Sequence, residues 1–270
     1  MVLRNEPTYV RKFKCSNRYC VSTCCHGFDI ELDDKSLDVY NHFTGELKEL
    51  VLGGIFHRGN KYYIRSENGR CTFLNNDNLC KLQIIGGESA LCYTCRIYPR
   101  FMLKRNNVTY TGLGLSCPTA FLLIMDSDEF SYPFYSPEDN KNIATLAVLL
   151  ENEYFLTEEV TELFLKLNKR EFELDDYLHM CSNESKIFKN ALSSKDILNL
   201  CRYFYFRYCD EDINWKNISY WFIALVSLLI NNEIITHYGI YKLAKEIEHS
   251  DTNMDFLNRN FIHYKTRIKN

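Results

Sequence analysis

Apolar and polar positions are arranged differently in the two halves of this chain. In the first half short apolar runs are broken by glycine and proline, because ten of the 11 glycines precede residue 115 and all five prolines precede residue 138. Residues 138–270 contain one glycine and no proline, so this stretch is free of helix breakers. We therefore predict a mainly α protein with a small β-hairpin, in which a loop-rich first part (1–135) precedes an all-helical part (136–270).

Helical patterns occur in both parts. A helix is predicted over residues 33–52, and its apolar stripe consists of Leu37, Tyr40, Leu47 and Leu50. A second is predicted over residues 117–126, with Pro118 in its first turn. The two parts meet near residues 131–140, where Ser136 followed by two acidic residues resembles a helix start. Further helices are predicted at 139–154, 157–169, 195–209, 213–231, 233–248 and 252–266, with Asp212, Asn232 and Thr252 as candidate caps.

Short alternating runs in the first part predict strands. Residues 61–74, "KYYIRSENGRCTFL", read as two strands joined by a turn at Asn68-Gly69, the dipeptide most typical of a hairpin. Residues 108–115, "VTYTGLGL", predict another strand. The β content is therefore expected to be small and local.

Charge and hydropathy narrow the functional class. The formal net charge is −3, which favours neither nucleic acid nor an anionic membrane as the main partner. The longest apolar run, at 218–230, has 13 residues, whereas a membrane span needs about 20. Residues 1–14 carry charges without an apolar stretch behind them, so no export signal is expected. We predict a cytoplasmic protein.

Twelve cysteines are the strongest chemical signal, and nine of them lie in the first 117 residues. The segment "CSNRYCVSTCC" alone places four thiols at Cys15, Cys20, Cys24 and Cys25. In a reducing cytosol clustered thiols indicate metal binding or redox chemistry, and zinc and iron–sulfur clusters both take thiolate ligands. The alternative for any one cysteine is a small buried hydrophobic residue. We expect that role for Cys181, Cys201 and Cys209 in the helical part.

A basic stretch follows the "CYTC" pair of Cys92 and Cys95. Residues 89–125 contain no Asp or Glu but include Arg96 and Arg100. Four thiolates around a metal leave negative charge that nearby cations can balance. Arg96 or Arg100 is therefore a candidate to balance such a centre or to bind an anionic cofactor, and a solvated basic surface is the alternative.

Five segments in order and spacing carry a family resemblance. They are C-x4-C-x3-CC-x-GF, GRCTFL, LCKLQ, TCRIYPR and LSCP. This series, together with residues 241–257, resembles the flagellin lysine-N-methylase family within the wider group of zinc- or iron-chelating cysteine-cluster proteins. Carried over position by position, the resemblance implies a metal centre whose candidate ligands are Cys15, Cys20, Cys24, Cys25, Cys71, Cys80, Cys95 and Cys117. Cys92 falls where relatives have a different residue and is not included.

The resemblance implies a specific activity. It implies a bacterial enzyme that transfers methyl groups from S-adenosylmethionine to lysines of flagellin and carries a [4Fe–4S] cluster or zinc. The chain has no GxGxxG nucleotide loop after a predicted strand, so the methyl-donor site cannot be read from a motif. No catalytic base is assigned. The alternative is a non-catalytic zinc- or iron-chelating binding protein.

Overall fold

Two compact units make up the chain. The computed structural model describes residues 5–16, 20, 23–28, 30–105, 107–152, 193–208, 240, 244–245 and 248. Lys14–Phe101 forms the small unit, and Met1–Phe13 with Met102–Asn270 forms the large unit. Compact units need not coincide with independent domains, so the division at residue 135 stays a prediction.

Among its described residues the small unit has four α-helices, a short 3-10 helix (Glu88–Ala90) and two strand pairs. The helices are α2 (Asp34–Asn41), α3 (Gly45–Gly54), α4 (Lys81–Gly86) and α5 (Tyr93–Ile97). The strands are β1 (Ile55–Arg58), β2 (Lys61–Ile64), β3 (Ser66–Glu67) and β4 (Arg70–Cys71). Its core consists of Leu32, Tyr40, Val51, Ile64, Phe73, Leu82, Ala90 and Cys92.

The predicted helix over 33–52 is two helices. α2 begins at an Asp33 cap, whose carboxylate accepts a hydrogen bond from the Ser36 amide at 3.0 Å. The chain then leaves helical geometry: Thr44 is extended and Gly45 has φ +57°. A positive φ suits glycine, so "HFTG" makes a bend that the apolar stripe did not reveal.

The strands confirm the predicted hairpin turn and correct its extent. Asn68 and Gly69 have φ of +50° and +75°, as a type I′ turn requires, and they join β3 to β4 in an antiparallel pair. β2, however, pairs with β1, with Ile55 opposite Ile64. The turn between them contains Gly59 at φ +63°, so residues 61–64 belong to an earlier hairpin.

The described residues of the large unit form helices and one further strand pair. Its elements are α1 (Tyr9–Lys12), β5 (Arg100–Arg105, which begins in the small unit), β6 (Val108–Leu113), α6 (Pro118–Met125), α7 (Pro137–Asn152) and α8 (Ser194–Tyr208). β6 confirms the strand predicted at 108–115, and α6 has Pro118 in its first turn as predicted. The fold class, mainly α with small antiparallel strand pairs, is confirmed.

Helix caps and buried amides order the large unit. Ser136 Oγ accepts the Asp139 amide at 3.1 Å, and Asp139 accepts the Ser136 amide at 2.8 Å, which confirms the predicted start of α7. Asn199 of α8 is fully buried and donates to the carbonyls of Met125 and Ser127, both at 2.8 Å. These bonds tie α8 to the end of α6.

The remaining helix predictions, at 157–169, 213–231, 233–248 and 252–266 with their three caps, lie wholly or mainly outside the described residues. Cys201 is fully buried, which confirms its predicted role as a core residue, whereas Cys181 and Cys209 lie outside the described residues. Among helices of the described chain, none combines the length and hydropathy needed to cross a bilayer.

Candidate metal centre

Six thiols form one cluster in the small unit. Cys92 lies in the buried core of the small unit, and Cys71, Cys80 and Cys95 pack against that core. Cys25 joins them because its carbonyl accepts the Cys71 amide at 2.9 Å, and Cys24 is its neighbour in the chain. We refer to this set as the thiol cluster; it consists of Cys24, Cys25, Cys71, Cys80, Cys92 and Cys95. Three separate segments of the chain contribute, so the cluster is a product of tertiary structure.

Backbone pairing brings the first two segments together. The Cys71 amide donates to the Cys25 carbonyl at 2.9 Å, and the neighbouring His26 forms an antiparallel bridge with Arg70. The β3–β4 turn makes this possible because it reverses the chain, so that β4 lies beside the "CCHG" segment at residues 24–27. A second bridge, between Leu74 and Cys80, returns the chain so that Cys80 caps α4 beside the same site.

Helix α2 positions the third segment. Ser36 Oγ accepts the Tyr93 amide at 3.0 Å, and Tyr93 stands between Cys92 and Cys95. Cys92 is the N-cap of α5, and its carbonyl accepts the Arg96 amide at 3.0 Å. Ser36 of α2 therefore holds the start of the short helix that carries both cysteines of the CxxC pair.

Two pairs of cysteines, Cys24 with Cys25 and Cys92 with Cys95, are each linked by a hydrogen bond between their thiols. The bond with Cys24 lowers the pKa of Cys25 to about 7, assisted by Thr23 and the positive charge of Arg70 against the opposing effect of burial. The bond between Cys92 and Cys95 lowers the pKa of Cys92 and raises that of Cys95. In each pair one thiol therefore loses its proton more readily, and the other thiol donates the hydrogen bond that stabilises the resulting thiolate.

The other two thiols resist ionisation. Burial raises the pKa of Cys71 to about 12 and also raises the pKa of Cys80, and neighbouring thiolates add to both effects. A bound metal cation reverses this balance because it stabilises several adjacent thiolates at once. The donor set, made only of soft sulfur ligands, therefore suits zinc or an iron–sulfur cluster.

The protonated thiols do not already form a preorganised metal site. Within the described part of the chain, no group of three or more His, Cys, Asp or Glu side chains is arranged to hold a metal ion as it stands. None of the ten described cysteines forms a disulfide. Metal loading would require loss of the thiol protons, after which the paired sulfurs could turn toward a common ion.

The structure brings together five of the eight predicted cysteine ligands: Cys24, Cys25, Cys71, Cys80 and Cys95. Cys15 is exposed and Cys20 is half-buried on the segment before them. Cys117 lies in the large unit, buried as the N-cap of α6. Arg96 is exposed on α5, and Arg100 is half-buried at the start of β5. Their predicted role in cofactor binding stays a prediction.

Two features of the cluster were missed from sequence. Cys92 is 1% exposed and belongs to the cluster, although the family pattern excluded it. Its CxxC spacing with Cys95 was the available signal. Arg70 is the cation whose charge favours the Cys25 thiolate, whereas the basic stretch after residue 95 had directed attention elsewhere. Its position directly before Cys71 was the clue.

Comparison with known proteins supports the resemblance found in the motifs. A lysine-N-methylase of Salmonella typhimurium is 28% identical over 131 residues, which are 46% of this chain and 33% of that protein. The flagellar biosynthetic protein FliU of Salmonella muenchen is 28% identical over 131 residues, which are 78% of its own length. A lysine-N-methylase of Salmonella choleraesuis matches with the same identity and coverage as the first.

These matches confirm the resemblance to the flagellin lysine-N-methylase family over nearly half of the chain. The matched segment spans about a third of the lysine-N-methylases themselves. No protein-family model matches the chain, and no solved structure matches it.

Proposed function

We propose that this protein is a protein-lysine N-methyltransferase that takes its methyl group from S-adenosylmethionine and acts on flagellin. The similarity to proteins named lysine-N-methylase carries the proposal of methyl transfer. The flagellar name of a third relative supports a flagellar protein as substrate. Methyl transfer requires a neutral lysine amine held in line with the donor methyl group, so the site must desolvate the amine or remove its proton.

We propose further that the thiol cluster holds a [4Fe–4S] cluster, or alternatively zinc. Four of its six thiols are enough for either group. Cys25, Cys71, Cys80 and Cys95 come from all three segments, so ligation by them would lock those segments to one another. When bound, the group supplies the positive charge that holds these sulfurs as thiolates and orders the loops around them.

The first experiment is purification of the full chain under anaerobic conditions, with metal and sulfide analysis and a visible spectrum. Iron with sulfide supports the cluster, whereas zinc alone moves the centre to a structural role. Cys95→Ala should lose metal. The control is Cys201→Ala, which removes a fully buried thiol from the large unit and should keep full metal content.

Activity is tested on the same preparation. Purified flagellin is incubated with the protein and S-adenosylmethionine, and mass spectrometry counts methyl groups on its lysines. Methylated lysines support the enzyme. Calorimetry with S-adenosylmethionine addresses the rival, a non-catalytic metal-chelating module, because that protein would bind metal but give no heat with the methyl donor and no methylated product.

A further inference from the structure

The hydroxyl of Tyr40 is buried in the core of the small unit. Its side chain belongs to the core of the small unit and is 2% exposed. Its Oη makes no hydrogen bond of normal geometry among the described residues. An unsatisfied buried polar group costs about 1–3 kcal/mol, so native cores rarely leave one without a partner.

Two contacts fix the direction of this side chain. Tyr40 lies four residues after Ser36, and residues with this spacing share a helix face. Ser36 holds the Tyr93 amide between Cys92 and Cys95, so the face that carries Tyr40 is the one that meets the CxxC pair. The Tyr40 ring also packs on Phe43, with centroids 5.3 Å apart, which restricts its rotation.

Cysteine side chains lie in the same part of the core as this hydroxyl: Cys92 belongs to the buried cluster that contains Tyr40, and Cys80 and Cys95 pack against that cluster. Burial raises the pKa of Tyr40 strongly, and the thiols of Cys92, Cys95 and Cys80 raise it further. The Cys92 amide lies near the oxygen and favours negative charge there, so the O–H hydrogen remains for a different acceptor.

We propose that the Tyr40 hydroxyl donates a hydrogen bond to a cysteine sulfur of the metal-loaded thiol cluster, from Cys92, Cys95 or Cys80. The inference depends on the metal centre proposed above. Tyr40 acts as a positioning residue: it touches a ligand sulfur rather than the substrate. A hydrogen bond withdraws electron density from a thiolate, which weakens its donation to the metal and favours the reduced form of an iron–sulfur cluster.

The test compares Tyr40→Phe with wild type in the full chain. This substitution removes one oxygen and keeps the ring in place. Tyr9→Phe is the matched control, because Tyr9 is also 2% exposed, lies in the large unit, and donates or accepts at 3.3 Å from Tyr132. All three proteins are purified anaerobically and titrated with Co²⁺, whose near-ultraviolet thiolate-to-metal absorption reports directly on the sulfur ligands.

We expect all three proteins to show the thiolate band and the Tyr40→Phe band alone to lie at lower energy. In iron-loaded protein we expect Tyr40→Phe to disfavour reduction about tenfold, which is about 59 mV for one electron. A thiolate band that is identical in Tyr40→Phe and wild type overturns the role of Tyr40 and leaves the metal centre standing. An equal shift in Tyr9→Phe also overturns it, because the effect would not be local. No thiolate band in wild type overturns both proposals.

Discussion

Gly54 at the end of α3 packs tightly against Phe73 in the core of the small unit. A Cβ at this residue would lie 2.0 Å from Cε1 and 2.4 Å from Cζ of Phe73. Phe73 is 1% exposed, and its carbonyl accepts the amide of Lys81, the residue after Cys80. Gly54→Ala should therefore disturb the core on which the cluster is built.

The magnitude follows from these distances. Carbon atoms pack at about 3.5–4.0 Å, so the Phe73 ring edge must move by about 1.5–2 Å within a closed core. Overpacking of this kind costs about 1–3 kcal/mol, and the large overlap places Gly54→Ala at the upper end. Alanine regains at most about 1 kcal/mol of helix propensity over glycine. We expect a net loss of about 2 kcal/mol in the stability of the small unit.

Gly53→Ala is the matched control. Gly53 precedes Gly54 in the same helix, and a Cβ there meets no atom within 4 Å. Gly53→Ala gains the higher helix propensity of alanine without a steric clash, so it should stabilise the small unit by about 0.5–1 kcal/mol. The two variants should differ by about 3 kcal/mol although they change the same atoms one residue apart.

Hydrogen exchange measured by mass spectrometry is the suitable assay, because both tryptophans, Trp215 and Trp221, lie outside the small unit. Peptides from residues 45–67 report the opening free energy of α3 and β2. The Arg65 amide, which donates to the Gly54 carbonyl at 2.7 Å, lies within this range. Equal protection of the two variants would refute the packing argument, as would protection of Gly54→Ala at the wild-type level.

Two further predictions concern the large unit. Asp139→Ala removes the cap of α7 and the acceptor of the Tyr205 hydroxyl at 2.6 Å, so it should cost about 1–2 kcal/mol in urea unfolding at pH 7. Burial opposes ionisation of Asp139, yet hydrogen bonds from Tyr205 and Ser136 hold its pKa below 3.8. The charged carboxylate therefore stabilises the fold at neutral pH. The stability lost in Asp139→Ala should become smaller as the pH falls through that lowered pKa. Asn199→Ala leaves two buried carbonyls unsatisfied and should cost about 2–4 kcal/mol in the same assay, whereas the exposed Asn140→Ala should change stability by less than about 0.5 kcal/mol; equal midpoints for the two would contradict the assigned amide role.

Features that depend on local chemistry could be predicted from the sequence. The Asn68-Gly69 turn follows from the positive φ angles that these two residues tolerate, and the start of α7 follows from the spacing of Ser136 and Asp139. Each requires only a few adjacent residues. The bend at Gly45 was missed for a related reason: the apolar stripe continues across it, and periodicity alone does not register a single positive φ.

The membership of the thiol cluster could be predicted only in part. Cysteine density indicated a site, but which thiols converge depends on the backbone pairing of Cys71 with Cys25 and of Arg70 with His26. That pairing joins residues that are far apart in the sequence. Family spacing supplied five members and excluded Cys92, because a shared pattern describes positions common to relatives rather than what this fold brings together.

Tyr40 shows why an apolar stripe and a functional site can be the same surface. Helical periodicity predicts that this residue faces the core, and its ring does so. The hydroxyl has no place in that pattern, yet it is buried in the same core as Cys92 and is the group that we propose donates to the thiols. The connection is the cap of α2: Ser36 bonds Asp33 at the helix start and holds Tyr93 of the CxxC segment with its Oγ. The cap of α2 therefore fixes how this helix packs against the CxxC segment. Tyr40 lies one turn after Ser36 on the same face, where its hydroxyl can donate to the sulfurs.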